Sequence, residues 1–126
     1  MSTHINDLPS AGAIAAGVHP TAVGANASGP TIDFGAIDGD GPCFAIQQVG
    51  DLEESGTLDG RIEQSSDGSS WSALSGATFT QVTAANNLQV IRFTRTTRYI
   101  RWAATVAGSG VLFTVSAVIG SQKKTF

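Results

Sequence analysis

Tyr99-Ile100-Arg101-Trp102-Ala103-Ala104-Thr105-Val106, then Gly108-Ser109-Gly110, then Val111-Leu112-Phe113-Thr114-Val115-Ser116-Ala117-Val118-Ile119, is the stretch whose reading decides the fold. In the first run Ile100, Trp102, Ala104 and Val106 alternate with Tyr99, Arg101, Ala103 and Thr105. In the last run Val111, Phe113, Val115, Ala117 and Ile119 take every second place. A period of two puts alternate side chains on opposite faces of a strand, so each run reads as a strand with one buried face. The glycines between them read as a tight hairpin.

Working outward, the same grammar continues. Leu88 to Thr94 alternates, with Gln89, Ile91 and Phe93 opposite Leu88, Val90 and Arg92. Arg95 to Arg98 reads as a turn, and Phe79 to Asn87 as irregular. Ser66-Asp67-Gly68-Ser69 is the clearest turn, with Thr57 to Gln64 leading in and Trp71 to Leu74 running back. The leading strand begins at Arg61 instead if Asp59-Gly60 is a hairpin turn. Cys43 to Val49 is a strand, and Thr31 to Phe34 a short one. Short strands divided by turn signals imply an all-β, antiparallel two-sheet sandwich, of jelly-roll or immunoglobulin-like kind. Ile62, Ile91 or Val90, Ile100, Trp102, Phe113 and Val115 are expected together in its core.

Residues 1–30 are rich in Ala, Gly, Ser and Pro and show no amphipathic face, at most a short helical turn near Ala11 to Ala16. They read as an extended N-terminal arm or long loop, with residues 1 to about 25 lacking regular structure. The expected organisation is arm 1–30, sandwich 31–120 and a short basic tail 121–126. No stretch has the length and apolarity of a membrane span, and no signal-peptide pattern is visible. Synthesis and folding in a cytoplasm are therefore expected.

Charged residues make up 13% of the 126, and the formal net charge is −3. That is about half the usual charged share, and the sign argues against a nucleic-acid partner. The 41% hydrophobic content supplies a core. One cysteine, Cys43, excludes an intrachain disulfide; it lies among apolar neighbours, far in sequence from His4 and His19, and reads as a buried thiol. Asp38-Gly39-Asp40-Gly41 resembles the start of a calcium loop, but Pro42 and Val49 stand where an EF-hand needs ligands, so a plain turn is the reading. Glu53-Glu54 and the Asn26-Ala27-Ser28 sequon offer no site. No catalytic, metal or cofactor-binding residues are expected, and the chain reads as a non-enzyme. The candidate partner contact is the cluster Arg92, Arg95, Arg98 and Arg101, which suits an acidic surface or a carboxylate and reads otherwise as a solvated face.

Two segments, Leu58 to Trp71 with its Glu63-Gln64-Ser65-Ser66-Asp67-Gly68-Ser69-Ser70-Trp71 core and Thr97 to Gly108 with Arg98-Tyr99-Ile100-Arg101, resemble a family of small proteins encoded among the head genes of tailed phages. Gly29-Pro30-Thr31-Ile32-Asp33-Phe34 and the basic tail extend the likeness over nearly the whole chain. The strand motifs are also similar to discoidin-like carbohydrate-binding sandwiches. The phage resemblance implies a virion structural protein, foremost a capsid decoration (cement) protein on the capsid exterior. Its implied partners are the major capsid protein and copies of itself, as a trimeric homo-oligomer. No nucleic acid and no membrane are expected as partners. The alternative is a carbohydrate-binding module on a phage head or fibre.

Overall fold

The computed structural model describes residues 12–34 and 42–122. They form nine strands: β1 (Gly12–Val23), β2 (Ala27–Ser28), β3 (Ile32–Asp33), β4 (Pro42–Glu53), β5 (Thr57–Ser65), β6 (Ser72–Thr78), β7 (Asn87–Thr94), β8 (Tyr99–Ala107) and β9 (Leu112–Gln122). The first sheet has the order β1-β9-β4-β7. The second has β2-β8-β5-β6, with β3 also on β8. All pairings are antiparallel. Apart from β2 to β3 and β5 to β6, each step along the chain crosses from one sheet to the other, so the strand order is that of a jelly roll.

The core forms where the inward faces meet. Ile62, Ile100, Trp102 and Phe113 are fully buried, Val115 nearly so, and Ile91 packs beside them, while Val90 points outward. The expected core set thus lies together. One polar pair sits inside it: the Trp102 indole N–H donates to Gln47 Oε1 at 2.9 Å, with both residues at 0% exposure. Gly60 on β5 makes the room, since a Cβ there would collide with the Gln47 amide. Asp59-Gly60 is therefore strand interior, not a hairpin.

Three expectations are corrected. Residues 12–28, assigned to an unstructured arm, hold β1 and β2; β1 pairs with β9 from Gly12↔Gln122 to Val23↔Phe113. Its apolar alternation is scrambled because register shifts fall between Ala16/Val18 and Val18/Thr21, and each extra residue swaps the faces of the residues after it. The Gly108-Ser109-Gly110 turn joins strands of different sheets, not a hairpin. A period of two shows which side chains point inward but not which sheet holds them. Ser121 and Gln122, placed in the tail, end β9. Residues 1–11 of the arm, the Asp38 to Gly41 turn and the rest of the basic tail lie outside the described residues.

Candidate functional site

The four arginines are close in sequence and separate in space. Arg92 is exposed on the outward face of β7 in the first sheet. Arg95, in the β7–β8 loop, is 1% exposed. Its guanidinium donates to the carbonyl oxygens of Thr97 at 3.2 Å and Phe34 at 3.4 Å and lies 5.5 Å from the Phe34 ring centre. Arg98 clasps Asp33 through two 2.8 Å hydrogen bonds, and these raise its pKa. Arg101, on β8, donates to Glu63 at 2.7 Å and stacks 4.4 Å from the Trp71 ring centre. The cluster is thus divided between two sheets and a loop. Arg98 and Arg101 pair with carboxylates, and Arg95 is folded into the protein.

The outer face of the second sheet is charged and internally satisfied. Glu63 takes Arg101 on one carboxylate oxygen and Arg61 on the other, at 3.1 Å. Arg61 also donates to the Thr105 hydroxyl, and Asp59 accepts from Gln81. Beside it the Asp67 carboxylate closes the β5–β6 turn by accepting from the backbone N–H of Ser70 and Ser69 and from the Ser65 hydroxyl. Those bonds lower its pKa to about 2. The turn was legible in the sequence; this hydrogen-bonded carboxylate is its physical basis.

The outer face of the first sheet is different. Register places Ala16, Val118, Ile46 and Val90 in one row across all four strands. Phe44 and Leu88 flank that row on neighbouring rungs. Leu88 is 63% exposed, Val90 61% and Val118 37%, the large apolar side chains most open to solvent among the described residues. The Phe44 ring covers Gly120, where any Cβ would strike it. Arg92, opposite Phe44, puts one cation at the end of the row. The apolar row was not picked out from the sequence. Its members come from four separate strands, and only the register brings them side by side.

The remaining candidates carry structural roles. Burial pushes the Cys43 thiol pKa up, away from the thiolate form that reacts. The Asn26 side chain accepts from the Val106 backbone N–H at 3.0 Å, tying the β1–β2 loop to β8. Trp102 is a core anchor; Trp71 is half-buried under Arg101. Among the described residues no group of three or more His, Cys, Asp or Glu side chains could hold a metal ion. No protein-family model, curated protein or solved structure matches the chain.

Proposed function

We propose that this chain is a structural protein of a tailed-phage particle, a decoration protein that seats on the exterior of the major capsid protein lattice. The observation that carries the reading is the difference between the two outer faces. One is charged and has its charges paired within the chain; the other is an apolar row with, among the described residues, the cation of Arg92 flanking it. A sandwich built this way has one face suited to water and one suited to being covered. The sequence motifs around Asp67 and Tyr99 add the phage resemblance. On this reading the protein acts by mass action: it binds the assembled lattice and not free subunits, and repeated weak sites add avidity.

The test compares particles with and without the protein on heating or at lowered ionic strength, following release of DNA. Particles lacking it open earlier, and purified protein restores them. Equal stability of the two preparations overturns the reading.

A second reading, a carbohydrate-binding module, is favoured by the array on the other sheet. Trp71 offers a half-buried ring stacked on Arg101, which is joined through Glu63 to Arg61. Saturable binding to a glycan array, lost in Trp71→Ala, together with particles of unchanged stability, selects this reading.

A further inference from the structure

We infer that β7 is an open sheet edge through which two copies of this chain pair antiparallel about a two-fold axis. Each sheet has two edges, and three of the four carry features that obstruct strand addition. β1 has two register shifts, and Pro20 lies within it. β6 has a register shift against β5 and Gly76 at φ 81°. β2 and β3 are two residues each, with Pro30 between them. Bulges, prolines and shortness are the usual protections of edge strands.

β7 lacks all three. It runs for eight residues, about 27 Å at strand rise, without Gly or Pro. Its register with β4 is unbroken from Pro42↔Thr94 to Val49↔Asn87. Among the described residues its backbone pairs with β4 alone. It also holds Leu88 and Val90, the two most exposed large apolar side chains among the described residues. Gln89 meets the Thr80 backbone through its side-chain amide in two exposed hydrogen bonds, so that contact does not use the backbone groups of β7.

The occupant that fits is a second β7. The strand carries one charge, Arg92. Antiparallel pairing centred at Val90 sets the two guanidinium-bearing residues four positions apart, about 14 Å, beyond the screening length of about 8 Å in physiological salt. Parallel pairing would place them side by side. In the antiparallel arrangement Val90 meets its own copy, and Leu88 lies along the aliphatic stem of the other copy's Arg92. The two first sheets then join edge to edge, and the apolar row runs on from one copy to the next. An edge of this size buries less than the roughly 800 Å² per partner of a standard stable interface. The dimer is accordingly reversible, and it stands whether or not the particle reading holds.

The experiment is light scattering on the purified full chain across about 1–500 µM, the range of a weak reversible dimer, with hydrogen exchange at both ends of that range. The mass rises from 12.9 kDa towards twice that value, and β7 amides exchange more slowly at high concentration. Val90→Lys and Leu88→Lys, both at exposed positions, each keep the circular dichroism of the parent and stay monomeric. Val118→Lys, on the same face but two strands in from the edge, still dimerises. A parent chain monomeric throughout overturns the inference. So does loss of the dimer in Val118→Lys, which indicates face-to-face packing, or β7 amides whose exchange ignores concentration.

Discussion

Replacing Trp102 with Phe probes the buried hydrogen bond that joins the two sheets through Gln47. The substitution keeps an aromatic ring at a fully buried site but removes the indole N–H that donates to Gln47 Oε1 at 2.9 Å. Gln47 is itself fully buried, and its Nε2 has no hydrogen-bond partner among the described residues. After the change neither end of the amide is satisfied by a described residue. An orphaned buried acceptor costs about 1–3 kcal/mol. The smaller ring adds a part of the roughly 3–5 kcal/mol that removing the whole side chain would cost. Gln47→Leu alone strands the indole N–H at a similar cost, about 1–3 kcal/mol, offset by removal of the unpaired amide nitrogen. The double variant Trp102→Phe/Gln47→Leu removes both partners, and two apolar groups of similar shape can be close to neutral there. The double is therefore expected to be more stable than the sum of the singles by about 1–3 kcal/mol. The assay is urea unfolding of all four proteins followed by far-ultraviolet circular dichroism, with midpoints and slopes fitted separately. Additivity within about 0.5 kcal/mol would mean the pair is uncoupled and that this account of the core is wrong.

The other predictions concern the glycine under Gln47, the β5–β6 turn, the first strand and the surface ion pairs. Gly60→Ala drives a methyl into the Gln47 amide and should cost about 1–3 kcal/mol by overpacking; an unchanged melting temperature would contradict the close approach. Asp67 has its folded pKa lowered to about 2 from 3.8, so the stability it contributes is present above pH 4 and lost as the pH falls from about 4 to 2. Carboxyl chemical shifts followed by pH titration should place its midpoint near 2, and Asp67→Asn should flatten the stability profile in that window. Removing residues 1–23 strips β1 from β9 along their whole pairing, so the truncated chain should melt at least 10 °C lower, at roughly 4 °C per kcal/mol, or fail to fold. A truncation that melts like the parent would return β1 to the status of a dispensable arm. Arg98→Ala breaks a pair whose side chains are 52% and 41% exposed and should lower stability only slightly, because water screens the pair. Arg101→Ala loses both the Glu63 bond and the Trp71 stack and should cost more, about 1–3 kcal/mol; the reverse order in urea unfolding refutes this ranking of the two sites.

Local pattern alone determined much of this protein. The alternation in Tyr99 to Val106 and Val111 to Ile119 identified Trp102 and Phe113 as core, and both are fully buried. The Ser66 to Ser69 turn was legible because Asp67 and Gly68 act within their own few residues. These features depend on neighbours in the chain, which is why they can be read from it. What depended on partners distant in sequence could not be read. β1 hid behind two bulges that broke its period, and its place was decided by β9, about a hundred residues away. Arginines read as one cluster were divided when β7 and β8 entered opposite sheets. Ala16, Val118, Ile46 and Val90 became one apolar row only through three strand registers. Strand periodicity fixes a side chain's face relative to its own backbone, whereas the surface that face helps to build is set by which strands the chain brings alongside.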